Sequence, residues 1–340
     1  MTHSPRRFRS SPGCSYPCRS PRRWGEWALV SSAVIAVTLF ATRGLEAQSP
    51  ESLGSACVAA GGQAAPCFAS AAAGEALQGH VALLSGFGSE VSGTATTLAT
   101  RVQGGPRIAL TARFGAVDMS VPDLRDPAGL GEAGFVATAA HADIALGLFD
   151  GFRLMSTVGG FLSVDVFGRA SFLFLPTSEG FDDGSTAYTA GVRVGIFREG
   201  FTIPGVSASV SRRFVGGIDF GGTADPSSVS IDPTVTSFRA TVGKDLFAVE
   251  WLAGFGWDDF GGDVRVSATH GLGGAVSVTG DLSSSRRLYF ASAAMTLSIV
   301  LNVAVEAGWA DGYDPTASYG GSWDASDGAP FGSLSLRFIL

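Results

Sequence analysis

From Arg107 onward the chain repeats one unit: roughly ten to fifteen residues in which apolar and polar positions alternate, then a break. Successive side chains of a strand point to opposite faces, so this alternation predicts strands whose two sides meet different surroundings. The predicted strands are roughly 107–118, 134–148, 158–175, 186–198, 204–215, 234–243, 246–257, 286–297, 299–310 and 331–340. Residues 77–103 add either a further hairpin or an N-terminal plug, and 261–281 reads as a hairpin projecting beyond the others. The breaks alternate in length. Short ones fall at Phe149-Asp150-Gly151, Glu199-Gly200, Lys244-Asp245 and near Ser298-Ile299. Long ones, rich in Asp, Gly, Pro and Ser, cover 119–133, 176–185, 216–233, 258–285 and 311–329. Short turns at one end and long loops at the other are the asymmetry of an outer-membrane barrel. The fold expected is therefore all-β: a transmembrane antiparallel up-and-down β-barrel of about ten to fourteen strands, with twelve as the central count.

The two faces differ in chemistry as well as polarity. On 204–215, Val206, Ala208, Val210 and Phe214 oppose Ser207, Ser209, Ser211 and Arg213. On 299–310, Leu301, Val303, Val305, Ala307 and Trp309 oppose Asn302 and Glu306. The charges Arg113, Asp143, Asp165, Arg169, Arg193, Arg213, Arg239, Glu250, Glu306 and Arg337 fall on the polar face, with His141, and are the predicted lumen-lining residues. Arg212 departs from the rule near a strand end. That is a tolerable place, because a lipid-facing arginine costs about 2–4 kcal/mol at mid-membrane and close to nothing at the interface. If the long loops are extracellular, Phe174, Tyr188, Trp257, Tyr289 and Trp309 all lie at outer strand ends, where an aromatic girdle belongs.

Before the repeats begin, residues 1–47 read as a secretory signal peptide. An arginine-rich start (Arg6, Arg7, Arg9, Arg19, Arg22, Arg23) precedes the apolar run 27–41 and a small-residue exit at Leu45-Glu46-Ala47. The apolar run is shorter than the roughly 20 residues of a helical span, so a retained anchor is the less favoured alternative. The leader takes seven of the 23 basic and two of the 30 acidic residues, leaving 16 against 28, a net charge of −12. Nucleic acid needs a basic face, so it is excluded as a partner. Residues 48–106 form an N-terminal segment, a plug or first hairpin, and 107–340 the barrel. Cys57 and Cys67 are close in sequence and suited to a disulfide in an oxidising compartment. A composition of 46% hydrophobic and 16% charged residues with 47 glycines fits strands facing lipid.

The last strand, in which Leu334, Leu336, Phe338 and Leu340 alternate with Ser333, Ser335, Arg337 and Ile339, resembles the C-terminal signal read by the outer-membrane insertion machinery. Most such strands end in Phe; here the last residue is Leu340 and Phe338 stands two positions earlier. The segments Ser70-Ala71-Ala72-Ala73-Gly74 and Gly93-Thr94-Ala95-Thr96-Thr97-Leu98 resemble the small-residue region of fatty-acid-transporter-like outer-membrane proteins. That resemblance implies a plug inside the lumen. The partners implied are outer-membrane lipid and the insertion machinery.

Candidate chemistry is sparse. After the leader there are His80, His141 and His270. None sits in a pattern that supplies a nucleophile with an oriented base, so the chain reads as a non-enzyme with no catalytic residues. No cofactor or metal motif is present. The acidic runs Asp258–Asp263 and Asp311–Asp314 read as solvated loops rather than calcium loops. A polar lumen of this size either lines a path or is filled by salt bridges. The expected function is a passive channel or transporter for small or amphipathic solutes, with a filled structural or adhesive surface barrel as the first alternative and an outer-membrane enzyme as the less favoured second.

Overall fold

The computed structural model describes residues 48–98, 105–153, 159–222, 224–246, 248–270, 273–298, 300–312 and 320–340. The predicted leader lies outside them. Eleven strands follow two helices: α1 (Pro50–Ala59), α2 (Ala64–Leu84), β1 (Arg107–Pro122), β2 (Glu132–Phe149), β3 (Ser163–Phe174), β4 (Ser185–Phe197), β5 (Gly205–Val215), β6 (Ile218–Phe220), β7 (Ser227–Leu246), β8 (Val249–Thr269), β9 (Ala275–Ser298), β10 (Leu301–Ala310) and β11 (Ala329–Ile339). Ten of them close a ring by antiparallel pairing, with β1 beside β11 and β5 beside β7; β6 pairs only with β7 and stays outside the ring. These ten are the segments that alternation marks. The two further strands of the central count do not form, because residues 64–84 are helix and the described residues 85–98 enter no strand ladder.

The barrel is inside-out. Phe114, Val136, Phe172, Tyr188, Trp251 and Leu334 are exposed on the outer face, while Arg113, Asp165, Arg213, Arg239 and Glu306 are buried within. Closure matters here, because a lipid-facing sheet edge would leave backbone groups unpaired. Three strands are far longer than a span requires: β7 has 20 residues, β8 21 and β9 24, against about ten for a tilted transmembrane strand. Along each of them the two faces exchange character. On β8 the outward residues Trp251, Ala253, Phe255 and Trp257 give way to Asp259, Asp263 and Arg265. The inward ones pass from Asp258 to Phe260, Val264 and Val266. On β7 the same exchange separates outward Phe238, Ala240 and Val242 from outward Ser230, Asp232 and Thr234. Phe238 is the register partner of Trp257, and Trp257 of Arg287. The apolar band therefore ends at one level on three neighbouring strands. Beyond it the sheet is an ordinary water-facing one with an apolar inside. Within the run 258–285, the part 261–281 expected as a projecting hairpin is for the most part the paired continuation of β8 and β9, and the flanking residues read as loop are paired as well.

That apolar inside receives the helices. From Pro66 to Leu84 nearly every residue of α2 is buried; most are small or apolar, and the buried Gln78 donates to the Gly262 carbonyl. Leu77, Val81 and Leu84 join one core with Phe220, Val229, Ile231, Val264 and Leu282. The chain enters at the long-loop end, where Gln48 N–H donates to Asp281 and Gln63 N–H to Thr269. Ser49 caps α1, accepting from Ser52 N–H at 3.2 Å, and the Cys57–Cys67 disulfide ties α1 to α2. Closing so short a loop is worth about 3 kcal/mol. Reduction is accordingly expected to expose residues 48–84 to protease while the barrel keeps its heat-modifiable gel mobility; unchanged proteolysis after verified reduction would show the bridge to be redundant. Among the described residues no helix is long and apolar enough to cross a membrane.

Candidate functional site: the plugged lumen and the seam at its rim

Below α2 the chain continues without regular structure, as residues 85–98, through the bore to the short-turn end. Its carbonyls are met by arginines of the wall. Arg213 donates to Ala82, Arg239 to Gly86 and Gly88, and Arg113 to Phe87 and Ser89 at 3.0 and 2.8 Å. Further down, Arg169 donates to Glu90, Arg337 to Ser92, and Arg193 to Thr94 and Thr96. Carboxylates take the N–H groups: Ser89 donates to Glu306, and Leu98 donates to both oxygens of Asp165 at 3.1 and 2.9 Å. A non-helical backbone inside a barrel must have such partners, and side chains supply them here.

All ten predicted lumen residues lie on the inner face, and the structure joins them in ion pairs. Arg169 meets Asp143 at 2.5 Å and Glu90 at 3.7 Å. Arg113 lies 4.0 Å from Asp143 and 3.9 Å from Glu306. Arg193 pairs with Asp165 at 2.7 Å, and Arg337 with Glu250 at 4.0 Å. Three members were not foreseen: Asp258, Arg286 and Glu90. Asp258 is fully buried and accepts from Arg213, from both terminal nitrogens of Arg239, and from Ser237 Oγ. Its parity on β8 is the signal that would have placed it inward, had 258–285 not been read as a loop. His141 Nδ1 is hydrogen-bonded with Ser171 Oγ at 2.7 Å, beside the edge of the Phe87 ring, while Asp143 serves Arg169 instead.

A second feature lies at the long-loop end. The β1–β11 ladder stops at Val117–Phe331, where the next residue of β11 is Pro330. Proline carries no N–H to extend a ladder. Residues 118–122 of β1 continue paired with β2 alone, and Pro330 and Ala329 with β10 alone, so first and last strand part. A cavity of about 380 Å³ fills the gap. Outward-facing Asp118, Glu132 and Trp309 line it on one side and His80, Met119 and Arg286 on the other; the β10–β11 loop adds Trp323, Asp324 and Asp327. The free edge of β1 is capped from both sides. Trp323 Nε1 donates to the Ser120 carbonyl at 2.9 Å, and His80 Nε2 lies 2.9 Å from the same oxygen. Burial, with Arg286 nearby, pushes the His80 imidazole down to about 3, so it is neutral and its proton sits on Nε2. Nδ1 is then an acceptor, and it has no hydrogen-bond partner among the described residues. Asp324 is held below the usual carboxylate range by the N–H and hydroxyl of Ser326. Among the described residues no three His, Cys, Asp or Glu side chains converge as a metal site does.

An even-stranded antiparallel barrel with aromatic and aliphatic side chains outside and arginines inside is a transmembrane barrel, and the bacterial outer membrane is where single-chain barrels of this kind reside. No family profile and no curated protein matches the sequence. Solved structures similar in architecture include the outer-membrane protease OmpT from Escherichia coli, with 9% identity and a TM-score of 0.36 over 69% of this chain and 96% of that one. The transport unit of the autotransporter AIDA-I from Escherichia coli aligns at 11% identity and a TM-score of 0.30, covering 78% of this chain and 99% of that one. The Pseudomonas putida toluene transporter TodX aligns at 9% and 0.28, covering 73% and 94%. Likeness at this level concerns the barrel alone.

Proposed function

We propose that this outer-membrane barrel takes small amphipathic solutes at its outer rim, through the seam between β1 and β11, while its own N-terminal segment keeps the bore closed to ions. The carrying observation is the parting of first and last strand around a cavity of about 380 Å³ that has both lipid-side and lumen-side walls. A cavity in this size range, with apolar wall from Met119, the two indoles, Ala325, Ala329 and Pro330 beside its charged groups, suits a drug-sized solute. The long-loop end is taken as extracellular, with lipid around the apolar band and the insertion machinery reading β11. The ladder of arginines on residues 82–96 favours a second reading, a surface barrel with a permanently filled lumen.

Two measurements separate them. In a planar bilayer the unmodified protein is expected to give no sustained current steps; large steady conductance would overturn the closed bore. In detergent, N-phenyl-1-naphthylamine is expected to bind saturably, read as energy transfer from tryptophan that is largely lost in Trp323→Leu. Transfer that never saturates, or that Trp323→Leu leaves intact, would remove the seam from the proposal and leave the filled barrel.

A further inference from the structure

The seam cavity has a chemistry more specific than amphipathic. Trp323 Nε1 and His80 Nε2 serve the Ser120 carbonyl, and one terminal nitrogen of Arg286 donates to the Gly79 carbonyl, with its guanidinium over the Phe260 ring at 5.9 Å. What remains facing the gap is acceptor-rich. Asp118, Glu132, Asp324 and Asp327 are exposed around the mouth, and the buried His80, 7% exposed, holds the unpartnered Nδ1 behind them. An anionic guest would meet four carboxylates at the mouth against one guanidinium, Arg286, on the inner wall. A divalent ion would find no convergent ligand set. A guest that donates, carries positive charge and has an apolar ring would match the acidic mouth, the indoles and His80 Nδ1. Its ammonium would lie among the carboxylates, and its ring against Trp309 or Trp323, as aromatic rings pair with one another.

We infer that the β1–β11 seam is a binding site for small arylalkyl amines in their ammonium form, with Asp118 and Glu132 holding the charge, Trp309 and Trp323 the ring, and His80 Nδ1 accepting an N–H from the guest. This rests on reading the seam as a solute site, and the test keeps the two apart.

The full chain in detergent micelles is titrated calorimetrically with 2-phenylethylammonium, 2-phenylethanol and phenylacetate, three guests of like size and ring that differ in charge. The ammonium is expected to bind at least tenfold more tightly than the alcohol, with phenylacetate weakest. Raising the salt should narrow the gap, because an exposed ion pair is screened. Asp118→Asn with Glu132→Gln is expected to cost the ammonium about tenfold and the alcohol little. Both side chains are exposed, and heat-modifiable gel mobility confirms that the variant barrel is folded. Equal affinities for the three guests, tighter binding of the acid or alcohol, or an unchanged ammonium affinity in the double variant would each overturn the charge assignment while leaving the seam a solute site. Absence of saturable binding by all three, together with failure of the naphthylamine transfer, would overturn the site itself.

Discussion

Gly88→Val is expected to turn a silent barrel into a conducting one. Gly88 sits where the irregular segment passes the belt of charges, at φ +68°, a left-handed conformation in which a β-branched residue is a true outlier. A Cβ there would stand 1.4 Å from Oε1 of Glu306, a carboxylate held by Ser89 and facing Arg113. One side must move. The wall is fixed by continuous ladders through β10 and its neighbours, whereas residues 85–98 enter no ladder and are held mainly by side-chain bonds and packing, so the segment gives way. Strain of this kind costs about 1–3 kcal/mol before the clash is counted. The wall left behind carries seven arginines (113, 169, 193, 213, 239, 286 and 337) against five carboxylates (Asp143, Asp165, Glu250, Asp258 and Glu306). The current steps should therefore favour anions, measured as a reversal potential shifted toward chloride under a salt gradient. A Gly88→Val protein that stays silent with wild-type stability would mean that the segment does not block the path.

How far the sequence alone carries this picture depends on which interaction sets each feature. Alternation at period two is a property of one strand and its surroundings, so the faces of β3, β5 and β10 are legible residue by residue: Asp165 and Arg169 inward, Phe172 and Phe174 outward. The exchange of faces on β8 was legible too, since Phe260, Val264 and Val266 keep the parity of Asp258. It was obscured because Asp, Gly and Ser on an outward face above the membrane look like a loop. Reading 258–285 as loop hid Asp258, and made neighbouring acids there seem one cluster when β8 sends Asp258 inward and Asp259 outward; Arg286 stood at the first position of a predicted strand, with too little of the alternation before it to assign its face. The clamp on residues 85–98 is illegible for a different reason. Its acceptors are backbone carbonyls, identical at every residue, and the arginines that find them are brought there by barrel closure. The seam is an intermediate case. Pro330 is visible in the sequence, but its consequence appears only once β1 is known to be its neighbour.

Asp258→Ala is expected to lower stability by about 3–5 kcal/mol, the usual consequence of removing one member of a buried ionic group. Arg213 and Arg239 converge on it with relative exposures of 0% and 1%, at 2.8 and 2.7 Å, so the alanine leaves two guanidinium groups of like charge facing a void. Arg213 would still reach Ala82 and Arg239 would still reach Gly86 and Gly88, but carbonyl oxygens do not neutralise charge. Urea unfolding in detergent, followed by the loss of heat-modifiable gel mobility, measures the effect. Asp258→Asn should fall between, keeping a partner for Ser237 while losing the charge. A change below about 1 kcal/mol for the alanine would mean that water enters this level of the lumen and screens the pair. The reverse experiment separates stability from closure. Replacing Asp258, Arg213 and Arg239 together by apolar residues of similar volume removes the buried charge, and such exchanges are often neutral or stabilising. It also removes the clamps on Ala82, Gly86 and Gly88. The triple variant is therefore expected to regain much of the lost stability while conducting intermittently, a combination that a purely structural salt-bridge network would not produce.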